Sequence, residues 1–147
     1  MLPPPVPLPA GFIISTDPEK LDLKVIHHFL RSSYWAQNIP LETVRRSVAH
    51  SLCFGLYHGS RQIGFARVVT DFATVSYLCD VFVIDAYRGQ GLGKQLMAYI
   101  SRYPELQGLR RWMLFTADAH GLYAPFGFTP LARPERGMEI VAPKPYG

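Results

Sequence analysis

The segment Val75–Lys94 constrains the fold more than any other. Val75 to Ile84 carries a single charged residue, Asp80, and is otherwise apolar but for Ser76. That density suits a central strand covered on both faces. Three of the chain's 12 glycines, Gly89, Gly91 and Gly93, then fall within five positions. Behind them Leu92, Leu96, Tyr99 or Ile100, and Tyr103 recur at helical spacing, which predicts a helix over about Gly91–Tyr103. A buried strand, a tight turn and an amphipathic helix begin a strand–helix–strand crossover. Arg111–Thr116 reads as the returning strand and Ala119–Phe126 as a short helix after it.

Upstream the texture is different. Phe12–Ile14 sits in a short strand over Gly11–Ser15. Thr16-Asp17-Pro18-Glu19 has capping-box spacing with proline in the first turn, and Leu21, Val25, Ile26, Phe29 and Leu30 extend the helix to about Arg31. Ser32–Ile39 is a loop holding Tyr34 and Trp35, and Pro40 opens a second helix on Leu41, Val44 and Val48. Leu52–Tyr57 and Gln62–Val69 read as strands joined at His58-Gly59-Ser60. Phe128–Leu131 and Met138–Val141 read as the last strands. A meander followed by crossovers implies an α/β (α+β) domain, a mixed sheet with helices on both faces. Five of the 13 prolines lie in residues 1–9. Residues 1–10 are therefore an extended proline-rich arm, 11–141 one domain, and 142–147 a second tail.

Composition narrows the classes. A chain of 147 residues, 48% hydrophobic and 18% charged, can bury the core of one domain and is not disordered. The net charge of +4 suits a phosphate-bearing ligand. The basic residues are scattered, the densest pairs being Arg45-Arg46 and Arg110-Arg111, so nucleic acid is not expected as a partner. Cys53 and Cys79 sit in apolar stretches and read as buried, reduced thiols. No apolar run approaches the ~18 residues of a membrane helix, and Met1-Leu2-Pro3-Pro4-Pro5 does not begin a secretory signal. No Cys/His spacing of the zinc type occurs, so no metal is expected. A cytoplasmic protein follows.

The glycine turn can hold phosphate. Glycines let backbone approach a ligand without an intervening Cβ. The amides opening the next helix lack internal acceptors and carry the positive end of its dipole. Arg88 and Lys94 add charge at either end of the turn. Two nucleotide motifs fail. A Walker A loop would need Gly at position 88 and Ser or Thr at position 95, where Arg88 and Gln95 stand. A dinucleotide fingerprint would need a third glycine at Lys94 or Leu96. What remains is Arg-x-x-Gly-x-Gly: Arg88, Gly91 and Gly93.

With its preceding strand Asp80–Tyr87, this motif resembles the signature of the GNAT superfamily of N-acetyltransferases. A second match follows in order: Ala119-His120-Gly121-Leu122-Tyr123-Ala124-Pro125-Phe126-Gly127-Phe128 is similar to the family's Ala-x-x-Leu-Tyr-x-x-x-Gly-Phe segment. The resemblance covers about Gly11–Val141. It implies a twisted, mostly antiparallel sheet of six to seven strands and acetyl-CoA as co-substrate, without metal. The pyrophosphate would lie on Arg88, Gly89, Gln90, Gly91, Leu92, Gly93 and Lys94. The pantetheine arm would run along Val81, Phe82 and Val83. Tyr123 would be the general acid and the amine would enter past Tyr34 and Trp35. Two departures stand out. Thr116 occupies the place of a frequent asparagine, and Arg111 the place of a glutamate base found in some protein-acetylating members. The base is left unassigned and protein N-termini are disfavoured as acceptors.

Several side chains carry two readings. Tyr123, as a phenol of pKa ~10, stays protonated at neutral pH and can protonate a leaving thiolate; the alternative is packing under the sheet. Asp80 in an apolar strand needs a partner. It is a base, an anchor for the substrate's ammonium group, the ion-pair partner of Arg67 on the neighbouring strand, or an acceptor for loop amides. Asp118 reads as an N-cap. Tyr34 and Trp35 stack on a substrate or cover the open end of the sheet. The expected activity is acetyl transfer from acetyl-CoA to a small-molecule amine by direct attack in a ternary complex. Its competitors are a CoA-binding module without turnover, another acyl-CoA donor, and a protein lysine acceptor. The fold is compatible with a homodimer.

Overall fold

The computed structural model describes Leu2 and residues 7–147; most of the proline arm therefore lies outside the described residues. Five strands form one sheet in the order of the chain, β1 (Phe12–Ser15), β2 (Leu52–His58), β3 (Arg61–Thr70), β4 (Val75–Val83) and β5 (Arg111–Met113). The first four pair antiparallel, and β4 with β5 parallel. Helices α1 (Leu23–Leu30) and α2 (Leu41–Ala49) precede β2, α3 (Leu92–Ser101) links β4 to β5, and a single turn, α4 (His120–Tyr123), follows β5.

Strand alternation divides the core between the two faces. Phe54, Ala66, Val68 and Leu78 pack beneath Leu96, Met97 and Ile100 of α3 and Tyr123 of α4. Cys53, Phe65 and Phe82 point the other way, onto Ile26 and Leu30 of α1 and Val44 of α2. A smaller cluster of Leu56, Ile63 and Leu92 sits under the glycine turn, with Leu8 and Phe12 against it. The end of the arm is held there, since Gln95 Nε2 donates to Pro7 O at 2.9 Å.

Four expectations change. The sheet has five strands among the described residues, not six to seven. Phe128 packs edge-on to Trp112 and Tyr123 instead of entering a ladder, and Pro130 and Pro134 deny this stretch backbone donors. Met138, at 98% exposure, and Ile140 stand clear of the protein; their alternation fits a strand, but no ladder reaches them. The first helix begins later than its capping-box spacing implies. Asp17 caps only a short 3-10 turn, Pro18–Lys20. Asp22 is a second cap, accepting from Lys24 N at 3.0 Å and Val25 N at 3.3 Å, and α1 starts there. Finally, β2 and β3 are the strands most fully covered, whereas the apolar β4 is half open along its second part. Its open part borders the site.

Candidate functional site

The parallel ladder between β4 and β5 lasts for three residue pairs, Val75–Arg111, Ser76–Trp112 and Tyr77–Met113. Beyond it the two strands part. The wedge between them is a cleft of about 980 Å³, walled by residues 77–83 on one side and 114–119 on the other. That volume suits a cofactor with a small substrate. A bulge bends β4 at the same place. Phe65 faces Phe82 and Arg67 faces Cys79, so β4 has one residue more than β3 between the two pairs. Asp80 absorbs the extra residue with φ 54°, a left-handed conformation that costs least for glycine, asparagine and aspartate. Bulging turns the Asp80 carboxylate out of the apolar strand and toward the cleft wall.

At one end of the cleft lies the glycine turn. Gly89 and Gly91 have φ 82° and 76°, and a Cβ added to either meets nothing within 4 Å. Open space therefore lies where side chains would project. Gly91 is the N-cap of α3 and offers no side chain to the helix's first amides, which stay available to an anion. Gly93 differs. It is an ordinary helical residue whose Cβ would touch Leu122 at 3.7 Å, so what it brings to the cradle is its amide. Gln90 alone among the turn residues 88–94 does not line the cleft. Arg88 is tied back, with Nη1 3.1 Å from Asp85 Oδ1 and Nε donating to Val83 O at 3.2 Å. Ile84 N donates to Ile63 O at 2.9 Å, so strand alternation turns the polar backbone of Val83 away from β3. Val81, Phe82 and Val83 all line the cleft; the Phe82 ring itself is buried and stacks on Phe29 at 4.0 Å.

At the other end each Asp80 carboxylate oxygen accepts one bond from the protein, Oδ2 from Arg67 Nε at 2.8 Å and Oδ1 from Trp35 Nε1 at 2.9 Å. Burial works most strongly against the Arg67 charge, but the charge and hydrogen bond of Asp80, together with the neighbouring Cys79 and Cys53, hold the guanidinium above its ordinary pKa. Of the readings open for Asp80, the ion pair with Arg67 is thus present. Cys53 and Cys79 flank Arg67 on neighbouring strands; burial pushes their thiols up to about 12 and about 11, so both remain protonated. Tyr34 reaches the opposite wall, where its hydroxyl accepts from Ala117 N at 2.9 Å. Tyr34 and Trp35 together bridge the cleft mouth.

Tyr123 lines the cleft from beneath. Its hydroxyl makes no hydrogen bond with any described residue. Burial first, then Tyr34 and Asp118, push its pKa up to about 12. Asp118 does not cap α4. The N-cap position of α4 is Ala119, and no side chain caps the helix; Thr116 Oγ1 instead closes the turn ahead of it, accepting from Ala119 N at 3.0 Å and Asp118 N at 3.4 Å.

An open glycine cradle, a splayed strand pair and a protonated tyrosine share this one cleft. The sequence matches the acetyltransferase (GNAT) domain family over residues 49–130, more than half of the chain. The chain belongs to the GNAT family of acetyltransferases. A Gibberella zeae protein described as an acetyltransferase is 31% identical over 135 residues, 76% of this chain and 75% of that one. A crystal structure of a GNAT-family protein from Xanthomonas campestris pv. campestris is 49% identical and superposes with a TM-score of 0.89, over 92% of this chain and 96% of that one. An acetyltransferase of Clostridium acetobutylicum crystallised with acetyl-CoA shares the fold at 11% identity, with a TM-score of 0.63 over 88% of this chain and 94% of that one. No helix among the described residues is long and apolar enough to cross a membrane.

Three features of this GNAT acetyltransferase were not readable in its sequence. The bonds from Trp35 to Asp80 and from Tyr34 to Ala117 join residues 45 and 83 positions apart. Tyr77 and Phe115 line the cleft with rings 6.1 Å apart, although neither belongs to a motif. Phe115 carries a local signal, a large apolar residue just past a short strand, but only the splaying of β4 and β5 gives it meaning.

Proposed function

We propose that this protein moves the acetyl group of acetyl-CoA to the primary amine of a small molecule within one ternary complex. The Tyr123 hydroxyl carries the reading: it lines the cleft, has no protein partner among the described residues, and keeps its proton to about pH 12. Core tyrosines ordinarily bury the hydroxyl against an acceptor, whereas Tyr123 stands at the cleft surface.

The residues fit the donor. Open space over Gly89 and Gly91 at the start of α3 suits a pyrophosphate, with Lys94 beside it. The backbone of Val81 and Val83 turned away from β3, where Val83 O is held by Arg88 Nε, suits the amides of a pantetheine arm. Bound acetyl-CoA would supply an activated thioester. Backbone amides at the bulge polarise its carbonyl. Asp80 Oδ1, which can accept one bond beyond that of Trp35, receives the acceptor's ammonium group. The ammonium loses a proton to water, the neutral nitrogen bonds to the acetyl carbon and gives up a second proton to water, and the carbon–sulfur bond breaks. Tyr123 gives its proton to the departing sulfur and regains one from solvent. Ammonium ion and thioester thus become amide, thiol and one proton. The mouth bridged by Tyr34 and Trp35 favours a compact amine over a folded protein surface.

The test is an amine panel incubated with acetyl-CoA, with N-acetyl product followed by mass spectrometry and free thiol measured in parallel. Acetylated amine should accumulate in step with thiol. Tight acetyl-CoA binding without product for any amine would leave a binding module instead.

A further inference from the structure

The acceptor end of the cleft is walled by four aromatic rings from three separate segments. Tyr34 and Trp35 stand on the α1–α2 loop, Tyr77 on β4, and Phe115 just past β5; all four line the cleft. They pair edge-on, Tyr34 with Trp35 at 5.1 Å and Tyr77 with Phe115 at 6.1 Å. They are not core residues: Phe115 is 74% and Tyr34 61% exposed, with Trp35 and Tyr77 partly so. The two pairs meet at the cleft, since Trp35 bonds Asp80, three residues past Tyr77, and Tyr34 bonds Ala117, two residues past Phe115. Exposed aromatic faces gathered in one concavity suit a flat apolar group or a cation placed over a ring.

Charge is partitioned along the same cleft. Four charged residues line it: Arg88 and Lys94 at the glycine turn, and Asp80 and Asp118 at the aromatic end. No lining cation at the aromatic end could balance an anionic substrate group. Arg67 behind Asp80 is already paired. Asp118 and Tyr34 both act on the Tyr123 hydroxyl, so the aromatic end adjoins the proposed acid.

We infer that the acceptor is an arylalkylamine: a primary ammonium group on a short chain bearing an aromatic ring, without a carboxylate. The ammonium docks on Asp80, and the ring lies among Tyr34, Trp35, Tyr77 and Phe115. An α-carboxylate would meet Asp118 and the Asp80–Arg67 pair, with no unpaired cation among the described residues lining that end. This names the substrate class of the amine acetylation proposed above and rests on that reading.

Three probes isolate the two claims: 2-phenylethylamine, propylamine as the same ammonium without a ring, and phenylalanine as the ring with a carboxylate. kcat/KM with acetyl-CoA should be at least tenfold higher for 2-phenylethylamine than for either of the others, about 1.4 kcal/mol. Phe115→Ala should remove most of that preference over propylamine while acetyl-CoA KM moves less than about twofold. Calorimetric titration of 2-phenylethylamine into the CoA-bound protein gives a readout independent of turnover. Selective binding without acetylation of any amine would keep the aromatic site and overturn the acetyl transfer. Equal kcat/KM for propylamine or phenylalanine would overturn the arylalkylamine inference and leave acetyl transfer standing. Amine acetylation with no measurable preference in binding overturns the inference in the same way.

Discussion

The two ends of the cleft are made from different parts of the polypeptide. At the glycine turn the chain presents backbone: positive-φ glycines, open space above them, and the first amides of α3. At Asp80 it presents side chains, drawn from the α1–α2 loop, β3, β4 and the segment after β5. A backbone site suits one invariant chemical group, such as a phosphate, and can be encoded in eight contiguous residues. A side-chain site can change its preference by substitution without disturbing the cradle. The division predicts that damage at one end should leave the other end's measured constant nearly untouched.

Tyr123→Phe tests the junction between the ends and should have the largest effect. It removes one hydroxyl and keeps the ring that packs on Phe128. kcat should fall by ~100-fold or more, with acetyl-CoA KM little changed. The same group sets the pH response. An acid role for Tyr123 requires its proton, which leaves only as pH rises through about 12. The wild-type rate should show no loss attributable to this group between about pH 6 and about pH 10. A Phe variant with wild-type kcat would reduce Tyr123 to packing.

Asp80→Asn comes next. An amide keeps the shape and can still accept from Trp35 Nε1, but it leaves the buried Arg67 charge uncompensated. Stability should fall by about 1–3 kcal/mol in denaturant titration. kcat/KM for the amine should fall at least ~10-fold by loss of the ammonium contact, while acetyl-CoA affinity stays within about twofold. A variant with reduced melting temperature and unchanged amine kcat/KM would make Asp80 purely a structural partner of Arg67.

The glycine turn supplies a graded pair. Gly91→Val puts a branched side chain into a positive φ and into the open space of the cradle. Acetyl-CoA affinity should weaken at least ~10-fold, about 1.4 kcal/mol by calorimetry. Gly93→Ala should do least. Its Cβ meets Leu122 at 3.7 Å, an ordinary contact, and lies within α3. Affinity should move less than about twofold and stability should rise by about 0.5–1 kcal/mol from helix propensity. Equal losses at both positions would mean that the cradle reads spacing and not open backbone.

This contrast also decides what could be read from the sequence. Contiguous chemistry was legible: the strand Val75–Val83, the turn at Gly89–Gly93 and α3 each follow from local pattern, and Tyr123 from its place before Gly127-Phe128. The charge on Asp80 and its Arg67 partner were legible because a carboxylate in an apolar strand demands compensation. The bulge that turns this carboxylate outward was not, since it arises from unequal spacing on two strands. Nor was the failure of Phe128–Leu131 and Met138–Val141 to pair; their alternation is strand-like, but a ladder needs an edge as well as a pattern. Tyr77 and Phe115 became a pair only where the ladder ended.

That short parallel ladder has one more consequence. Among the described residues, three residue pairs, helped by the bond from Arg110 N to Thr74 O at 3.0 Å, are the backbone ladder that joins one wall of the cleft to the other, whereas β2 and β3 are paired along their lengths. Cooperative opening follows the weakest set of contacts. Amides of Arg111–Met113 should therefore exchange with solvent deuterium well ahead of those in β2 and β3. The wedge can widen or narrow by fraying a single short seam, while the four antiparallel strands beneath it stay closed.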